Sequence, residues 1–178
     1  MQTLTRISLA LCACVAAGSA VAQAPAPGAA GAPPPAPPRA RGPSLALAVE
    51  AAQTAIAVCL ANGYKTTATV VDSAGVPVAM LSGDGAAERT QMIGLTKTAA
   101  TIKYKVPSGE IADRVKTDAA LDAEVKADPK IGTARRGALP IKVGGEIIGA
   151  LSVSGAPGGD KDEVCTQAGL DKIASRLK

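Results

Sequence analysis

The sequence predicts an α+β fold: a mainly antiparallel sheet of four to five strands, built from two β-hairpins, with helices packed on it. Two stretches carry this reading. Residues 67–88 (TATVVDSAGVPVAMLSGDGAAE) and 139–160 (LPIKVGGEIIGALSVSGAPGGD) share one plan of strand, tight turn, strand, Gly-rich loop and helix start. The third observation is helical periodicity before, between and after them, which gives the order α-β-β-α-α-α-β-β-α.

Residues 1–22 have the three parts of a signal peptide: Arg6, an apolar run from Ile7 to Ala17, and Ala20-Val21-Ala22 as a small-residue cleavage site. Leu11-Cys12-Ala13-Cys14 is a fainter lipoprotein-like alternative, because cleavage there leaves a very short apolar core. The apolar run is too short for a transmembrane helix. Residues 23–43 are a linker rich in Pro, Ala and Gly. Proline lacks the amide donor and fixes φ, so an extended, disordered tether is expected. Residues 44–178 then form one domain of ordinary size.

Within that domain Ser44 suits a helix N-cap. Leu45, Val49, Ala52, Ile56 and Cys59 recur at helical spacing, and Asn62-Gly63 stops the helix. Strands follow at 66–71 and 76–81, joined by Asp72-Ser73-Ala74-Gly75; Pro77 places the second strand at a sheet edge or beside a bulge. A helix is expected from about residue 87 to 104, with Met92, Leu95, Ala99 and Ile102 as its buried stripe. Pro107-Ser108 ends it and opens a short helix anchored by Ile111 and Val115. Leu121 and Val125 mark another, ending at Asp128-Pro129. After a loop at 130–138 come the strands 140–143 and 146–153, turning at Gly144-Gly145. The last helix begins near Asp160, with Leu170, Ile173, Ala174 and Leu177 on its inner face.

Composition excludes several classes. The chain has no His, Phe or Trp, so Ser-His and Cys-His catalysis and imidazole ligation of a metal are ruled out. Without the leader, eighteen basic residues face fifteen acidic ones. That modest balance, with two tyrosines as the only aromatics, is not the pattern of a nucleic-acid binder. There is no P-loop and no GxGxxG. No carboxylate pair stands out as catalytic. Cys59 and Cys165 form an even pair in an exported chain, hence a disulfide worth about 4–5 kcal/mol; the alternative is two separate buried thiols.

The segments VVDSAGVPVAMLSGDGA, KTAAT at 97–101 and LPIKVGGEIIGALSVSGAPGGDKDE, in that order, resemble the GlcG/HbpS-type haem-binding family over nearly all of residues 44–178. The resemblance implies a compact α+β domain that forms homo-oligomers, and haem or another tetrapyrrole as cofactor in exported, periplasmic or secreted members. The chain departs from the family pattern in three places. Gly83 stands where many relatives have Arg before DGA, one Gly is lost in Gly137-Ala138-Leu139-Pro140-Ile141, and His is absent.

Candidate ligand-binding residues follow. Asp84, Gly85 and Ala86 lie in a Gly loop before a helix, where free amides favour carboxylates; the alternative role for Asp84 is that of a helix cap alone. In the second loop, Asp160 and Asp162 would repel an anion, so capping is the expected role there. Thr96 and Lys97 lie mid-helix: the threonine as a weak oxygen donor, the lysine as a partner for a propionate or an interface carboxylate, or simply solvated. Tyr104, between Lys103 and Lys105, is the candidate phenolate ligand for a haem held without His. Two other functions stay open on the same loop: a sensor of small carboxylates, and a structural assembly domain.

Overall fold

The computed structural model describes residues 40–178; the predicted leader and most of the predicted linker lie outside the described residues. The elements are α1 (Leu45–Ala61), β1 (Thr67–Asp72), β2 (Pro77–Ser82), α2 (Arg89–Tyr104), α3 (Ser108–Arg114), α4 (Ala119–Ala127), β3 (Ala138–Val143), β4 (Glu146–Ser154) and α5 (Gly159–Ile173), with a 3-10 turn at Ala174–Arg176. This is the expected order. The four strands form one antiparallel sheet, β2-β1-β4-β3. Pro77 begins the edge strand β2, and the pairing with β1 shifts register beside it, between Val70 and Val71. At the β3–β4 hairpin Gly144 and Gly145 both take positive φ, +55° and +86°, as a two-residue turn between twisted strands requires.

Alternation along the strands separates two faces. Ala68, Val70, Leu151 and Val153 join the main core with Ala48, Ala51, Ala52 and Ala55 of α1 and Ile173 of α5. Thr67, Thr69 and Ser152 point the other way, onto α2. Thr67 Oγ1 shares a hydrogen bond with Thr90 Oγ1 (2.7 Å), and Ser152 Oγ donates to the Gly94 carbonyl (2.9 Å). Helices therefore cover both faces of the sheet: α1 and α5 on one, α2 on the other. A second, smaller core of Ala100, Ile111, Leu121, Val125 and Ile131 joins α2 to α3 and α4.

The core lacks large side chains and relies on close backbone approach. A Cβ on Gly169 would stand 2.5 Å from the Ala51 carbonyl oxygen, so only glycine lets α5 lie this near α1. Cys59 and Cys165 link the same two helices by a disulfide with Cα atoms 5.6 Å apart, which excludes the two-thiol alternative. Each buried Ala contributes little area, so this covalent link is a large part of what holds the outer layer.

Two helix faces differ from expectation. Leu45 is 64% exposed, and α1 buries its alanines instead, because α5 needs small neighbours. The larger correction concerns α2. Its buried positions are Thr90, Gly94, Lys97, Thr98, Ala100 and Thr101, whereas Met92 is 65% exposed and Leu95, Ala99 and Ile102 are only half-buried. The hydroxyl-bearing face of the sheet selects the polar, small side of the helix. Ala174, expected inside, is exposed past the end of α5. The structured domain also starts slightly before residue 44. Pro43 is buried, the Arg41 carbonyl accepts from the Ser73 amide (2.8 Å), and the Arg41 guanidinium pairs with Glu146.

Candidate functional site

Strand register brings four connections to one end of the sheet. Thr67 pairs with both Ser82 and Ser154, and Ala138 pairs with Ser152. The α1–β1 link enters beside Thr67. The 83–88 loop leaves after Ser82, the 155–158 loop leaves after Ser154, and the link from α4 enters just before Ala138. Together they border a cleft of about 880 Å³. That lies within the roughly 300–1,000 Å³ typical of small-molecule sites.

The lining divides by chemistry. Ile93, Ala87, Ala112, Ala134, Ala156 and Pro157 supply apolar surface, and Tyr64 supplies one phenol. Lys65, Arg89, Lys97, Lys116, Arg135 and Arg136 supply six cations against a single carboxylate, Asp162. Several cations are already engaged. Lys116 bonds Asp113 (2.7 Å), and Arg136 bonds Asp113 and reaches Glu163 (3.4 Å). Among the described residues Lys65, Arg89 and Arg135 have no carboxylate within ion-pair distance. A cleft with surplus positive charge and apolar walls is suited to an anion carried on an apolar body.

Its floor is an ion pair. Lys97 Nζ, from two turns inside α2, donates to Asp162 Oδ2 (2.7 Å) and to the Val153 carbonyl (2.8 Å). The other oxygen of Asp162 accepts from the Ala156 amide (2.9 Å), so one carboxylate ties α5, the 155–158 loop and α2 together. Both side chains are almost fully buried. Burial pulls the Lys97 amine below its ordinary range and pushes the Asp162 carboxyl above its own; their mutual attraction opposes both shifts. Gly137 makes room for the amine. A Cβ there would stand 2.6 Å from Nζ, and its φ of +125° also favours glycine.

The family model described as "Haem degrading protein HbpS-like" matches residues 44–171. The chain belongs to the HbpS-like family. Solved structures agree with that membership. HbpS itself is 26% identical with a TM-score of 0.68, over 80% of this chain and 96% of that one. A double mutant of Streptomyces reticuli HbpS is 26% identical with a TM-score of 0.70, over 84% and 99%. The haem complex of PduOC shares the fold at 19% identity, TM-score 0.68, over 77% and 97%. No curated protein matches the sequence significantly.

In this HbpS-like domain the expected ligand-binding residues separate. Gly85 and Lys97 line the cleft; Asp84, Ala86, Thr96 and Tyr104 are not among its lining residues. Asp84 does not cap α2, which starts later, after Glu88 and without a side-chain cap. The Gly83 amide is taken by the Thr66 carbonyl and the Ala86 amide by the Gly83 carbonyl. Thr96 Oγ1 donates back to the Ile93 carbonyl (2.9 Å). Lys97 is neither solvated nor directed at a surface group: its partner is internal. Tyr104 donates to Glu124 (3.0 Å) beside Lys103, at the far end of α2, where burial and the carboxylate raise its pKa. The tyrosine that does reach the cleft is Tyr64. Asp162, read from the sequence as a cap that repels anions, is buried and paired instead; the cap position of α5 is Gly158. Sequence reasoning also missed Lys65, Arg135 and Arg136. Their one local signal is position: each lies within three residues of the start of a strand.

Among the described residues there is no cluster of three or more His, Cys, Asp or Glu able to hold a metal ion, and no helix long and apolar enough to cross a membrane.

Proposed function

We propose that this protein binds haem, or another anionic tetrapyrrole, in the cleft at the common end of the two hairpins. One observation carries the reading: three cations with no carboxylate partner among the described residues, Lys65, Arg89 and Arg135, border a cleft that also carries apolar surface from Ile93, Ala112, Ala134 and Pro157. Propionates would pair with those cations, and the porphyrin body would lie on Ile93, Ala112, Ala134 and Pro157. Bound haem supplies an iron centre, and Tyr64 is the phenol in the cleft that could offer it an oxygen ligand. The family's description as haem degrading and the haem complex of a structural neighbour support the choice of ligand.

The mature protein acts outside the cytoplasm, in the periplasm or secreted, after removal of residues 1–22. The disulfide suits an oxidising compartment. It works as a homo-oligomer. The outward side of α2, with Met92 exposed and Leu95, Ala99 and Ile102 half-buried, and the free edge of β2 are the surfaces that support this.

Haemin titration followed at the Soret band tests the ligand. Saturable binding is expected, with Lys65→Ala, Arg89→Ala and Arg135→Ala each weakening it several-fold. Esterifying the propionates should remove most of that difference. No saturable binding above an albumin-blocked control would overturn the haem reading. Thermal stabilisation by small organic acids without haemin binding would select the carboxylate-sensor function instead.

A further inference from the structure

Asp162 is the only carboxylate lining the cleft among the described residues, and it is almost fully buried in a wall shared with the cations that would receive a ligand's acid groups. We propose that anion capture in this cleft is coupled to uptake of one proton, held by Asp162, so that the site binds its ligand more tightly as pH falls. The inference rests on the cleft being the ligand site proposed above and adds how that site is regulated.

The surroundings decide the sign. Lys97 faces Asp162 from α2, and Arg135 brings positive charge to the pair from the link before β3. On α5, Asp160 opposes its ionisation directly and Glu163 acts on Lys97. Arg136 is held by Glu163 and Asp113, while Lys65 borders the same cavity from the α1–β1 link. An anion entering among these groups adds negative charge beside the one carboxylate already present. The ionised form of Asp162 is then disfavoured further. Burial already holds its carboxyl above the ordinary range, and the added anion acts in the same direction. Protonation removes the internal counter-ion of the buried Lys97, a cost offset by the negative charge of the bound anion. A neutral carboxyl still has an oxygen to accept from the Ala156 amide, and Lys97 keeps the Val153 carbonyl.

Linkage then fixes the profile. Between the Asp162 pKa of the free protein and the higher value of the complex, binding takes up a proton, and affinity rises by at most about tenfold for each unit of falling pH. Above that interval no proton is exchanged, and below it the gain levels off. Lys97 responds in the same direction, because the added anion favours its charged form as well.

The test uses coproporphyrin, a tetrapyrrole with four carboxylates, and calorimetry in buffers of different ionisation heat between about pH 5 and 8. Wild-type protein should take up protons, up to one, beyond those taken up on binding to the Lys97→Met/Asp162→Asn double variant, in which neither member of the pair titrates; the comparison cancels protons the porphyrin itself acquires. A second measurement needs no variant. Protein labelled with carbon-13 aspartate should show a new protonated-carboxyl stretch in the ligand-minus-free infrared spectrum, at the labelled position. Binding by wild-type protein without proton uptake, equal uptake in the double variant, or a difference spectrum with no labelled band would overturn the coupling while leaving the binding site standing. No saturable porphyrin binding at all would overturn the site itself, and the coupling with it.

Discussion

Removing the Cys59–Cys165 bridge should cost the domain most of its stability margin. The two residues are 106 positions apart in sequence, so the bridge closes nearly the whole domain into one loop. In the chain-entropy model a loop of that length restricts the unfolded chain by about 4.8 kcal/mol at room temperature. A typical domain has only about 5–15 kcal/mol in total. This one has a core of Ala, Val, Ile and Leu with no Phe or Trp, which places it towards the low end of that range. At roughly 3–4 °C per kcal/mol for a domain of this size, the Cys59→Ala/Cys165→Ala double variant should melt about 14–19 °C below wild type. Urea unfolding of both proteins under non-reducing conditions measures the difference directly. The slope against urea should rise in the variant, because the unbridged chain exposes more surface. A loss below about 1 kcal/mol would refute the reasoning, as would an unchanged slope.

Three further outcomes test other parts of the structure. A Cβ at Gly94 would stand 2.7 Å from Thr69 Oγ1, so Gly94→Ala should cost about 1–3 kcal/mol by urea unfolding, and Thr69→Ala should restore part of it. Thr69 Oγ1 is buried without a partner, so Thr69→Ala alone should be close to neutral. Lys103 bonds Asp128 and Glu124, holds both carboxyls below their ordinary range, and is itself raised by those bonds. Depressed carboxylates stabilise the fold above their unfolded pKa, and that support is lost as pH falls through the folded value. Lys103→Met should therefore lower the melting temperature slightly near neutrality, and its difference from wild type should shrink as pH falls through the carboxylate range, which leaves a flatter acid limb. Finally, Tyr64→Phe should alter the Soret spectrum of the haemin complex, whereas Tyr104→Phe should leave it unchanged; the reverse result would move the ligand to the other end of α2.

The haem assignment draws on both levels of description. Ordered sequence segments point to the family, and the family model matches residues 44–171. The placement of the ligand is a matter of tertiary geometry, because Lys65, the α2 residues Arg89 and Lys97, and Arg135 come from three separate parts of the chain and meet only where the strands end. The coupling to Asp162 depends on the same convergence.

The fold class and element order were determined by the sequence alone, since hairpin turns, Pro77 at the edge strand and helical spacing are local properties read over a few residues. The cysteine pair was legible too, as the simplest state of two cysteines in a chain whose first residues read as a leader. Which side of α2 faces inward was decided only by tertiary structure. An apolar stripe normally marks the buried side, but here the sheet presents Thr67, Thr69 and Ser152, and hydroxyls pack against Thr90, Gly94 and Thr98 rather than against Met92 and Leu95. The same turn of the helix carries Lys97 inside to meet Asp162, 65 residues away. Periodicity shows that a helix has two unlike sides; only the surface it meets selects between them.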